Sequence, residues 1–132
     1  DLLYRLLSPE ILQTELDLCW VNVGGENPSD FLRKYTDRAP VVHLKDFVMK
    51  NRGRKEGLYE LIGIKPTDVQ ADEGDFAFRP IGQGVQDVKD IFKAAKDANS
   101  QWIVVEQDRE CLGLSSLVCV EQSINYIKKI QQ

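Results

Sequence analysis

Three short apolar runs, each reaching ionisable residues near its end, constrain this chain more than any other feature. Residues Thr14 to Val23 alternate, with Leu16, Leu18 and Trp20 on one face and Glu15, Asp17 and Cys19 on the other, as in a strand. Val41-Val42-His43-Leu44-Lys45-Asp46-Phe47 reads as a second strand. Trp102 to Glu106 reads as a third, apolar on both faces, with Asp108 just beyond it. Burying unpaired charge is costly, so ionisable residues persist at such strand ends when they are paired or hold a metal.

Helix-period segments separate the strands. Leu2, Leu3, Leu6 and Leu7 recur at helical spacing at the start of the chain. Asn27 is placed to cap a helix with Pro28 in its first turn, turning Phe31, Leu32 and Tyr35 inward. Gly82-Gln83-Gly84 leads into a helix with Val85, Val88, Ile91, Phe92 and Ala95 inward, ended by Asn99-Ser100. A last helix starts at Ser115-Ser116 and carries Val120, Ile124, Ile127 and Ile130. Between about 49 and 78 the periodicity fades into a long loop holding Arg52, Arg54 and Lys55, with room for a small element of its own, and Phe76 to Ile81 suits a short strand.

Strands that alternate with helices imply a parallel sheet covered by helices. An open doubly wound sheet and a TIM-type barrel both satisfy the pattern, and both place reactive residues at the carboxyl edge. The chain has 132 residues, of which 42% are hydrophobic, and reads as a single region, 1–132. It begins at Asp1 with residues that resemble the middle of a longer protein.

Composition narrows the function classes. Seventeen basic and twenty-one acidic side chains leave a net charge of −4, which argues against nucleic acid or an anionic membrane as the main partner. Apolar runs fall far short of the roughly 20 residues of a membrane span. Three cysteines, Cys19, Cys111 and Cys119, make no disulfide framework and no paired metal motif. A soluble protein of a reducing, cytoplasmic compartment fits these features. Cys19 lies on the Asp17 face and is expected to line the pocket, whereas Cys111 and Cys119 look incidental.

Asp17, His43 and Glu106 make up an oxygen-and-nitrogen set that suits a divalent Mn, Mg, Co or Zn ion. An ordinary salt-bridge network, with His43 paired to Asp46 or Glu106, is the competing reading. Lys45 is either a substrate contact or a partner of those carboxylates. Trp20 is either a ring-stacking platform for a ligand or core, and Gly82-Gln83-Gly84 either an anion site at a helix start or a tight turn.

In combination, Glu15-Leu16-Asp17-Leu18-Cys19-Trp20, Tyr35-Thr36-Asp37-Arg38, Val42-His43-Leu44-Lys45-Asp46, Pro80-Ile81-Gly82-Gln83-Gly84 and Val105-Glu106-Gln107-Asp108 resemble the sugar phosphate isomerase/epimerase family of xylose isomerase-like barrels. The resemblance implies the carboxyl-terminal half of a TIM barrel, since a whole barrel takes about 250 residues. It also implies a divalent metal held by Asp17, His43 and Glu106, with a first ligand glutamate that has no match in this chain. Trp20 stands where some relatives carry a substrate-contacting histidine, and Gln83 where glutamate is frequent.

The implied reaction moves a proton through an enediolate, with Glu106 as one of two acid–base carboxylates and Lys45 supplying positive charge to the developing oxyanion. Trp20, Lys45 and Asp46 are the candidate substrate contacts. The implied partner is a small sugar or sugar phosphate, with weak or no turnover by this chain alone. Association with a second copy or with the remaining barrel half is expected from the bare sheet edges. Two other readings compete: a non-catalytic module of the same fold, and a phosphodiesterase of the apurinic-endonuclease kind. A single histidine and an acidic balance disfavour the latter.

Overall fold

In the computed structural model, residues 2–50 and 76–131 are described. The element order is α1 (Leu2–Leu6), β1 (Glu15–Asp17), α2 (Leu18–Val23), α3 (Pro28–Lys34), β2 (Val41–Leu44), β3 (Asp46–Met49), β4 (Phe76–Arg79), α4 (Val88–Asp97), β5 (Trp102–Val105) and α5 (Ser116–Ile130). β1, β2 and β5 form a parallel sheet in the order β1-β2-β5, so the expected alternation of parallel strands with helices is borne out. β3 and β4 form a separate antiparallel ribbon. The expected Arg52, Arg54 and Lys55 loop lies outside the described residues.

The register explains which side chains meet. Asp17 stands opposite His43, and His43 opposite Val104. Side chains alternate along each strand. Leu16, Val42 and Leu44 therefore point to one face, where they pack with Leu32, Val88, Ile91, Ala94 and Ile127 from the helices. Asp17, His43, Lys45 and Glu106 fall on the other face. Among the described residues that face is open: Trp102 is 67% and Val104 39% exposed. β5 is thus apolar on both faces, as its sequence indicates, yet buried on neither as deeply as β2.

Several local readings need correction. The run from Thr14 to Val23 is strand only as far as Asp17, after which the chain turns into α2. The cause is the Asp17 carboxylate, which caps α2 by accepting from the amides of Cys19 (3.0 Å) and Trp20 (3.3 Å). The second run breaks at Lys45 into β2 and β3, which belong to different sheets. The helix after Gly84 starts only at Val88, capped by Asp87, leaving Val85 outside it and 43% exposed. In α5 the most buried positions are Cys119, Ser123 and Ile127. The Asn27 cap and the first-turn Pro28 stand as the sequence implied, with Asp30 N–H donating to Asn27 at 3.0 Å.

Polar side chains tie the helices down. The Arg33 guanidinium on α3 spans Asp90 (3.1 Å) and Asp97 (3.2 Å) on α4, at the surface. Arg38 donates to the carbonyls of Tyr4, Leu7 and Leu12, drawing the first helix against the body of the protein. Asp37, in the left-handed region at φ 61°, accepts from the Asn99 amide at 2.6 Å.

Candidate functional site

The carboxyl ends of β1, β2 and β5 bring five ionisable side chains together. Asp17 ends β1, His43 lies in β2, Lys45 follows β2, and Glu106 and Asp108 follow β5. The Lys45 ammonium sits among three carboxylates, 3.0 Å from Asp17, 2.7 Å from Glu106 and 3.0 Å from Asp108. His43 Nδ1 is 3.0 Å from Glu106, and its Nε2 faces Glu15. Donor atoms of Asp17, His43 and Glu106 all lie within 4.8 Å of one another. Ligand bonds of about 2.0–2.2 Å let three such atoms share one ion after small side-chain rotations. Two carboxylates and an imidazole also match the hard-to-borderline donors that divalent Mg, Mn, Co and Zn accept. These residues fit a divalent cation.

Lys45 is the electrostatic centre of the cluster. Burial on its own would lower its affinity for the proton, but hydrogen bonds to Glu106, Asp108 and Asp17 outweigh it and raise the pKa above the ordinary 10.5. The stability this contributes is fully present below the unfolded value near 10.5 and is lost as pH rises through the higher folded one. Lys45 therefore remains an ammonium at every ordinary working pH. It can donate hydrogen bonds and positive charge, and it has no lone pair with which to take a proton.

Asp46, expected beside Lys45 as a substrate contact, is corrected by its surroundings. It is 1% exposed. One carboxylate oxygen accepts from the amides of Phe47 (2.9 Å) and Gln86 (3.1 Å), the other from Gly82 (2.9 Å) and Gly84 (2.9 Å). A carboxylate has about four acceptor positions, and all are spent on the chain's own backbone. Gly82-Gln83-Gly84 is thus the tight turn of the two readings and not an anion site at a helix start, and its glycine amides hold Asp46. The glycines are required sterically: a Cβ on Gly84 would lie 2.1 Å from the Asp46 carboxylate, and Gly82 has φ 87° with Tyr126 packed on it. This clasp fixes the turn after β2 and with it the position of Lys45.

Trp20 stands in the first turns of α2, half-buried, with its ring stacked on Phe76 at 5.7 Å and edge-on to Phe78. Cys19 does not line the pocket. It is fully buried with Phe47 and Phe78, and burial, reinforced by the nearby Asp17 charge, pushes its thiol far above the usual range. Three site residues were missed or passed over in the sequence. Glu15 was legible from its two-residue spacing to Asp17. Asn22 and Gln86, whose side chains meet at 2.8 Å while Gln86 also donates to the Leu18 and Lys45 carbonyls, carry no sequence signal of their burial.

No family model matches the chain. Over 98% of its length it is similar to inosose dehydratases, 28% identical to that of Clostridium beijerinckii and 30% identical to that of Clostridium botulinum strain Eklund 17B. It spans about 41% of the length of these relatives. A solved sugar phosphate isomerase/epimerase from Parabacteroides distasonis superposes on 92% of the chain with a TM-score of 0.57 and 21% identity, covering 32% of that protein. Among the described residues, no helix is long and apolar enough to cross a membrane. The resemblance read from the strand-end motifs is borne out: the chain is similar throughout to part of the inosose dehydratases and has the parallel α/β architecture of a sugar phosphate isomerase/epimerase.

Proposed function

We propose that this chain supplies a divalent-cation site for a sugar-modifying enzyme that takes a proton from a carbon next to a carbonyl. The convergence of Asp17, His43 and Glu106 at the ends of three parallel strands carries the reading. Similarity to inosose dehydratases supports it and favours a cyclic polyol ketone, an inosose, as the substrate class. Isomerisation or epimerisation of a sugar phosphate is the second reading, favoured by the fold neighbour. Both start from the same proton abstraction, because a C–H beside a ketone is the acidic position whether water is then lost or the proton returned.

Asp17, His43 and Glu106 would hold the ion, which when bound draws electron density from the substrate carbonyl and acidifies the neighbouring C–H. Lys45 donates from its ammonium to the substrate oxygen that gains negative charge. Glu106, on the rim of the sheet, is the proposed acceptor of the carbon-bound proton. Asp108 and Asp17 keep the ammonium aimed into the site. Trp20, whose backbone amide donates to Asp17, is the candidate apolar wall for the C–H face of a ring.

Calorimetric titration of the chain with Mn2+ tests the cation site. One ion per chain is expected, with affinity falling at least tenfold in Glu106→Gln, a substitution at the strand rim that leaves the core intact. An unchanged isotherm in that variant and in Asp17→Asn contradicts the assignment.

A further inference from the structure

We propose that Cys111 and Cys119 form a reversible redox pair whose oxidation is transmitted to the cation-binding cluster through Gln107. The two sulfurs lie 3.4 Å apart, one in the loop after β5 and the other in the first turns of α5. The loop is already bent to hold them. Cys111 and Leu114 form an antiparallel bridge, and Leu112 (φ 56°) and Gly113 (φ 70°) both sit in the left-handed region between them. That is the backbone of a tight two-residue turn, with strain at the leucine. Cys119 is fully buried, while Cys111 is partly open to solvent. Reaction would therefore begin at Cys111 and be resolved by Cys119.

The chemistry is thiol–disulfide exchange with a small disulfide such as glutathione disulfide. The Cys111 thiolate attacks one sulfur of the oxidant, forming a mixed disulfide as the oxidant's S–S bond breaks and one glutathione thiolate leaves. The Cys119 thiolate then attacks Cys111 Sγ, forming the protein disulfide and expelling the second glutathione. The protein loses two electrons and two protons, which the two released glutathione thiols carry away. Burial and the adjacent Cys119 hold the Cys111 thiol up at about 11, so little thiolate is present at neutral pH and the exchange is slow. Its outcome is best read at equilibrium.

Gln107 provides the link. It lies between Glu106 and Asp108 in sequence, and its amide donates to the Arg109 carbonyl at 2.7 Å and to Cys111 Sγ at 3.7 Å. Bond formation draws sulfurs 3.4 Å apart to about 2.05 Å, a closure of more than 1 Å in a loop that starts at the site. Glu106 contacts both His43 and Lys45, so a shift of this segment reaches them directly.

The test is to equilibrate the full chain, without added metal, in glutathione buffers from fully reduced to mostly disulfide. Intact mass, non-reducing peptide mapping and the imidazole resonances of the single histidine, His43, are then recorded. The expected product has lost two hydrogens, carries a Cys111–Cys119 linkage with Cys19 still free, reverts with dithiothreitol and shows shifted His43 resonances. Cys111→Ser, at the more exposed position, should abolish both changes, with Cys119→Ala as the second variant. A persistent glutathione adduct on Cys111, a linkage through Cys19, or no modification overturns the pair. A correct linkage with unmoved His43 resonances overturns the transmission to the site. Because metal is absent, neither result depends on the cation reading.

Discussion

Asp46→Ala is expected to lower stability by on the order of 4 kcal/mol or more, enough to leave a large fraction of the chain unfolded at 37 °C. Four backbone N–H groups, from Phe47, Gly82, Gly84 and Gln86, lose their acceptor in one step. A buried donor without a partner costs about 1–3 kcal/mol, and water entering the vacated space relieves only some of them. Against a total of about 5–15 kcal/mol for a domain, that loss is severe. Asp46→Asn should fare only partly better, since its NH2 group would face donors where the carboxylate had an acceptor. Urea unfolding followed by circular dichroism reads both variants. A midpoint within a few tenths molar of the wild type would mean that the clasp around Asp46 contributes little.

Lys45→Met is expected to destabilise the metal-free chain by about 2 kcal/mol and to make it more responsive to divalent cations. Removing one partner of a fully buried ion pair costs roughly 3–5 kcal/mol, and solvent reaching the carboxylates reduces this here. Asp17, Glu106 and Asp108 would then face one another without the ammonium that now lies within 3.0 Å of each. A divalent ion restores that balance and no longer competes with a lysine for the same oxygens. Thermal melts should therefore show a larger rise in Tm with Mn2+ in Lys45→Met than in the wild type, since ligand binding to the folded state adds stability by mass action. An equal rise in both would separate the lysine from the cation site.

The legible parts of this protein are those in which one local rule governs. Val41 to Leu44 and Trp102 to Val105 are rich in β-branched residues and followed by charged ones, and both are strands with the ionisable residues at the anticipated edge. Asn27-Pro28 and Ser115 announce helices by capping chemistry, which acts over three residues and needs no tertiary context. The alternation of Leu16, Leu18 and Trp20 misled because an aspartate that caps a helix overrides it: α2 starts at Leu18 and buries Leu18, Cys19 and Asn22 rather than alternate residues. Asp17 is that cap, and it turns the chain at the site. Asp46 misled for a different reason. A carboxylate beside a candidate catalytic lysine reads as a substrate contact until the amides of Gly82, Gly84 and Gln86, some 36 to 40 residues away in sequence, are seen to fill it. Neither composition nor periodicity encodes that encounter. The pairing of Cys111 with Cys119 was hidden likewise, since eight residues of separation become contact only through the turn at Leu112 and Gly113.

If Asp17, His43 and Glu106 share one divalent ion, His43 reports it directly as the chain's single histidine. Substoichiometric Mn2+ added to the chain should broaden the His43 imidazole resonances first and selectively, because a paramagnetic ion relaxes nuclei bonded to its ligands most strongly. In Glu106→Gln the same addition should leave them sharp until the ion is in clear excess. His43 signals that stay narrow in the wild type, while resonances of exposed surface carboxylates broaden, would contradict the account.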